Sequence, residues 1–156
     1  MLHTPQPNDI ETLRLDDALK LQIPKYGADQ LPPRFCSRYA RLAADFIFDV
    51  QFPTADSWQM REKPHVFTRP ADNYSFSLLA RRQTVTPGMM VGIYCRGTEY
   101  DDGIRLYTHL ALFLGQQQGQ PLFLEQFGDQ IRVMSLDDYV LDKLQIREVL
   151  GLGGDF

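Results

Sequence analysis

Apolar residues recur along this chain with two different periods, and the change from one to the other divides it. Between Asp9 and Leu21, the residues Ile10, Leu13, Leu15, Ala18 and Leu19 stand at helical spacing, which predicts a first helix. The stretch from Pro24 to Pro33 is rich in breakers and separates it from a second. There Cys36, Tyr39, Ala40, Ala43, Ile47 and Val50 fall on one helical face, with Arg38, Arg41, Asp45 and Asp49 mostly on the other. Pro32-Pro33 suits the lead-in to that helix, and Phe52-Pro53 ends it.

From Thr84 onward the period is two. Met89 to Cys95 is a short apolar run opened by Pro87-Gly88. From Arg105 to Leu114, Leu106, Leu110, Leu112 and Leu114 share one face, and Tyr107, His109, Ala111 and Phe113 the other. A glutamine-rich loop leads into Leu122 to Phe127, and Gly128-Asp129 turns the chain into Gln130 to Met134. A final helix is predicted from Ser135, which forms a capping box with Asp138. Leu136, Tyr139, Val140, Leu144 and Val149 supply its stripe and Gly151 its stop. The order predicts an α+β fold, one antiparallel sheet with N-terminal helices and a C-terminal helix packed on it. A chain of 156 residues fits a single domain. Residues 1–30 read as an N-terminal extension and 140–156 as the C-terminal helix and tail.

Composition narrows the partners. A net charge of -4 lacks the basic footprint of a nucleic-acid binder, and Arg81-Arg82 reads as a solvated turn. No apolar run is long enough to span a bilayer, so no membrane insertion is expected. Met1 to Asp9 has no positive segment followed by an apolar one, so the chain is expected to be made in the cytosol without a signal peptide. Asp101-Asp102 before Gly103 reads as a hairpin turn, and no metal or other cofactor is expected.

Two cysteines, Cys36 and Cys95, are too few for a disulfide scaffold and match no zinc spacing. Cys36 opens a helix, whereas Cys95 lies in an apolar strand. A free thiol has a pKa of about 8.5 and is a poor nucleophile until deprotonated. A helix N-terminus and a neighbouring imidazolium both favour the thiolate, and the N–H groups of the helix start can hold the oxyanion of a tetrahedral intermediate. Against this stands the plainer role of a small buried residue on an apolar helix face. His109, preceded by Thr108, is the candidate base. His3 lies in the first few residues, and His65 in the Lys63-Pro64-His65 loop reads as surface. Glu125 and Gln126, on the strand paired with that of His109, are the two candidates to orient the imidazole. Hairpin register decides between them, and Glu125 is preferred because its charge also stabilises an imidazolium.

The order of these features resembles the NlpC-type and CHAP-type cell-wall peptidases, both papain-like. The residues that carry the resemblance are the cysteine at a helix start, Ala55-Asp56-Ser57-Trp58, Pro87-Gly88-Met89-Met90-Val91-Gly92-Ile93, Thr108-His109-Leu110-Ala111-Leu112-Phe113-Leu114-Gly115, Phe123-Leu124-Glu125-Gln126, and Ile131 to Tyr139. Together they span Phe35 to Tyr139. The resemblance implies a papain-like fold in which Cys36 attacks, His109 is the base and Glu125 takes the orienting place. Gln30 would then be the oxyanion-hole glutamine that precedes the cysteine. Two departures stand out: Phe35-Cys36-Ser37-Arg38 replaces the Asp-Cys-Ser-Gly of the NlpC type, and Phe127 stands where the CHAP type has an asparagine.

The implied activity is that of an amidase or endopeptidase on peptidoglycan peptides. It would be delivered to the periplasm or cell wall by phage lysis or a secretion machine, with an immunity or inhibitor protein as a partner. Two other readings use the same residues: an acyltransferase or deamidase acting on a protein or lipid, and a non-catalytic binding module with a vestigial site.

Overall fold

The computed structural model describes residues 6–27, 30–31, 36–98 and 101–153. His3, Phe35, Tyr100 and the Pro32-Pro33 lead-in lie outside these. In chain order the elements are β1 (Asp9–Arg14), β2 (Lys20–Lys25), α1 (Cys36–Phe48), a 3₁₀ helix (Ser57–Glu62), β3 (Val66–Pro70) and α2 (Asn73–Arg81). They continue as β4 (Met90–Tyr94), β5 (His109–Gln117), β6 (Gln120–Phe127), β7 (Gln130–Ser135), α3 (Leu136–Leu141) and β8 (Gln145–Leu152). The chain is α+β. Six strands form one antiparallel sheet in the order β3-β8-β4-β5-β6-β7, and β1 and β2 form a separate hairpin.

Alternation along β5 places the sheet between two apolar layers. Leu110, Leu112 and Leu114 face a cluster with Tyr39, Ala40, Ala43 and Ala44 of α1 and Leu21 and Ile23 of β2. Ala111 and Phe113 face the other way, toward Phe76 and Leu79 of α2 and Leu136 and Tyr139 of α3. The turn from β5 to β6 is Gln118-Gly119, with φ of 54° and 75°. Positive φ at both residues gives the two-residue hairpin turn whose twist matches the strands. Where Tyr107 crosses β4, Gly92 is required by space, because a Cβ there would come within 2.5 Å of the tyrosine ring.

Two predicted helices fold otherwise. Asp9 to Leu21 is a hairpin, reversed at Ala18 (φ 63°) and closed by the Leu15 N–H to the Leu19 carbonyl at 2.8 Å. The Asp16 carboxylate holds this turn against the β5–β6 turn by accepting from the N–H groups of Gln118 and Gly119. The hairpin buries Leu15, Leu21 and Ile23 while leaving Ile10 and Leu19 exposed, so the helical spacing of that segment was coincidental. What reads as an N-terminal extension thus supplies part of the core. At the other end the Ser135–Asp138 capping box forms, but α3 stops at Leu141. Lys143 turns at φ 59°, and residues 145–152 become β8, between β3 and β4. In place of a C-terminal helix and tail, this segment is an inner strand: Ile146, Val149 and Leu150 are buried from both sides, which rewards β-branched residues over a helical stripe. Val140 and Leu141, read as stripe or its neighbour, are exposed. β3 and α2 add two elements without a counterpart in the apolar pattern. Among the described residues, no helix is long and apolar enough to cross a membrane.

Candidate active site

Cys36 is the first residue of α1, which lies over the Leu110 face of the sheet. The paired register of β5 and β6 begins only at Leu112 and Leu124, so the strands are not yet joined beside His109 and Leu110. There the thiol meets the sheet. The His109 side chain and the N–H groups of Leu110 and Ser37 act on its ionisation. Ser37 secures the first helical turn by donating its hydroxyl to the Ala55 carbonyl. Ser57, at the start of the 3₁₀ helix, donates to the Thr108 carbonyl at 3.0 Å. These two bonds link the cysteine helix to the residue before His109.

His109 is 5% exposed and Glu125 is fully buried. Imidazole Nε2 lies 2.9 Å from Glu125 Oε2. A carboxylate can only accept, so Nε2 carries a proton and Nδ1 is the ring nitrogen left for the thiol. Glu125 faces the imidazole because it lies on the Phe113–Phe123 side of the sheet. Gln126, one residue on, points to the opposite face, where its side-chain N–H reaches the Gly128 carbonyl at 3.4 Å. The Gln30 side-chain N–H donates to the Gln6 carbonyl at 2.9 Å. Besides the imidazole, the groups that favour the thiolate are the backbone N–H groups of Leu110 and Ser37.

Two residues complete the site that the sequence pattern did not single out. Tyr139 donates its hydroxyl to Glu125 Oε1, and the Arg132 guanidinium lies 3.3 Å from Oε2. A buried carboxylate costs several kcal/mol unless such partners compensate it. Arg132 also stacks over Phe127, 4.2 Å from its centroid, and Phe127 meets the His109 ring edge-on at 5.4 Å. One signal for Arg132 was present. A two-residue turn at Gly128-Asp129 pairs Phe127 with Gln130, and counting back puts Arg132 opposite Glu125. Tyr139 had no such signal, being one more member of an apolar stripe.

The electrostatics follow from this line of groups. Burial pushes the Cys36 thiol up. The charge and hydrogen bond of His109, together with the Leu110 and Ser37 N–H groups, outweigh it and bring the thiol below its ordinary value. Burial pushes His109 down, but the Glu125 carboxylate and the Cys36 thiolate raise it above the ordinary imidazole range. Burial would raise Glu125, and His109, Tyr139 and Arg132 hold it low instead. The arrangement therefore favours a thiolate–imidazolium pair. Among the described residues no group of His, Cys, Asp or Glu could hold a metal ion. Asp101 and Asp102 instead accept from nearby backbone N–H groups of their own loop.

No protein-family model, curated protein or solved structure matches the chain.

Proposed function

We propose that this chain is a papain-like cysteine hydrolase that cleaves amide bonds in peptidoglycan peptides. The observation that supports it is the line Cys36–His109–Glu125, in which a thiol at a helix start is held below its ordinary pKa by an imidazole that a buried carboxylate orients. The choice of peptidoglycan over other amides rests on the resemblance to the NlpC and CHAP types.

The chemistry follows from proton positions. The Cys36 thiolate attacks the amide carbonyl carbon, and the carbonyl oxygen takes up the electron pair as an oxyanion, met by N–H groups at the start of α1. The His109 imidazolium gives its Nδ1 proton to the departing amine, leaving a thioester on Cys36. Neutral His109 then takes a proton from water, the hydroxide attacks the thioester, and the thiolate leaves. Glu125 stays ionised throughout and keeps the ring in one tautomer.

Incubation of purified muropeptides with the protein, followed by mass spectrometry, tests the reading. Wild type should yield fragments whose masses sum to substrate plus one water. Cys36→Ala should yield none, a loss of at least about 10^4-fold, with the unfolding free energy within about 1 kcal/mol of wild type. Cleavage retained in Cys36→Ala sinks the proposal.

A further inference from the structure

Beside the site lies a cleft of about 230 Å³ lined by Trp58, Arg61, Glu62, Arg105, Leu106 and Tyr107. Its walls continue the two segments that carry the site. Trp58 follows Ser57, whose hydroxyl is bonded to Thr108, and Tyr107 lies two residues before His109. The cleft is thus built onto the start of β5, where the imidazole stands.

Arg61 has an unusual anchor. Its Nη2 lies 3.1 Å from Glu148 Oε2, and Glu148 is a carboxylate of the inner strand β8 that is only 2% exposed. Tyr107 directs its hydroxyl at the other oxygen of the same carboxylate, at 3.4 Å. A buried carboxylate on a sheet strand is costly, and this one plays no part in the cysteine chemistry. Its effect is to fix a half-exposed guanidinium from behind. A guanidinium carries five N–H donors in a rigid fork, and the contact with Glu148 occupies one nitrogen. Across the cleft the Arg105 guanidinium lies 4.9 Å from the centroid of Trp58, while pairing with Asp102 at 3.3 Å. Trp58 is 41% exposed, with the Arg105 guanidinium over its ring. Two guanidiniums therefore line the cleft against one lining carboxylate, Glu62, and Glu148 and Asp102 are each turned to an arginine.

We infer that this cleft is a subsite that takes a carboxylate-bearing part of a peptide substrate, with Arg61 as the fork that reads the carboxylate. The inference deepens the hydrolase reading and rests on it for the word substrate. It commits to an acidic peptide because the anchored fork presents paired donors to a planar acceptor, and the guanidinium held over Trp58 sets a second cation in the same cleft.

Trp58 is the only tryptophan in the chain, so its fluorescence reports the cleft without any need for turnover. The probe is N-acetyl-Ala-Glu-Lys-Ala with free carboxylates, compared with N-acetyl-Ala-Gln-Lys-Ala-amide, each titrated into wild type and Cys36→Ala. The acidic peptide should change Trp58 emission saturably in both proteins, and the amidated one should bind at least about tenfold more weakly. Arg61→Gln should remove that preference. Because this change leaves Glu148 without its ion pair, Arg105→Gln, whose partner Asp102 is exposed, is the companion variant and should weaken the acidic peptide about threefold to tenfold. Equal binding of the two peptides, no saturable change in emission, or an undiminished preference in both arginine variants overturns the subsite. Each of these is independent of whether Cys36→Ala still cleaves muropeptides, so failure of the subsite and failure of the hydrolase reading are told apart.

Discussion

Cys95, just beyond β4, is 3% exposed among Phe76, Ile93, Phe113 and Tyr139, on the α2 and α3 side of the sheet. Cys36 opens α1 on the other side, partly buried. Burial raises the thiol pKa at both. At Cys95 the Glu125 and Cys36 charges add to burial, Arg132 opposes them weakly, and the thiol is pushed up to about 12. At Cys36 the His109 charge and three hydrogen bonds reverse the sign. Glu125 contributes to both outcomes: it raises Cys95 directly, yet supports the Cys36 thiolate through the imidazolium it stabilises. Burial alone therefore does not make a cysteine inert. What decides is whether cationic and N–H groups reach the sulfur.

Alkylation tests that contrast most sharply. With iodoacetamide at pH 7 the native protein should be labelled at Cys36, and Cys95 should react at least about a thousandfold more slowly until the fold is opened with denaturant. The labelling rate of Cys36 should rise as pH rises through its lowered pKa and level off at a lower pH than that of an ordinary thiol. Peptide mapping of both sites over a pH series provides the check, and comparable rates at the two cysteines would erase the distinction.

A smaller effect is expected from Glu125→Gln. The imidazolium loses its counter-charge, so the His109 pKa falls and the Cys36 pKa rises. Amide cleavage at pH 7 should drop about a hundredfold. The acid limb of Cys36 alkylation should also move to higher pH, a shift that simple loosening of the fold would not produce. An unmoved limb would show that Glu125 supports the fold without tuning the thiol.

The smallest effect concerns stability. Glu125 is held below its ordinary value of 4.5, so its contribution is fully present above pH 4.5 and is lost as pH falls through its folded pKa. His109 is raised above 6.5, so its contribution is fully present below pH 6.5 and is lost as pH rises through its folded pKa. The pair should therefore stabilise the protein most between about pH 4.5 and 6.5. Urea midpoints over a pH series, for wild type and for Glu125→Gln with His109→Gln, should show that maximum only in wild type.

Legibility along the chain followed the kind of signal present. The β5–β6–β7 meander could be read because its alternation, a Gln118-Gly119 turn and a Gly128-Asp129 turn agree with one another. Helix α1 could be read because its apolar residues keep to one face and its charged residues mostly to the other. The hairpin of β1 and β2 and the strand β8 could not, since five or six apolar residues fit helical spacing as well as alternation until a partner is known. Strand β8 in particular pairs with β3 and β4, far earlier in the chain, as Thr68 with Leu150 and Val91 with Val149 show.

For the candidate site, the sequence by itself determined which groups have the right chemistry: a cysteine opening an amphipathic helix, a histidine in a strand, and a carboxylate or amide one hairpin away. The tertiary structure decided the rest. It parted β5 from β6 so that a helix on one face could meet an imidazole belonging to the other. It selected Glu125 over Gln126 by strand parity, and it brought Tyr139 and Arg132 onto that carboxylate. The reason is physical: a pKa depends on charges a few ångströms away, and the groups that set those of Cys36, His109 and Glu125 come from five elements, α1, β5, β6, β7 and α3.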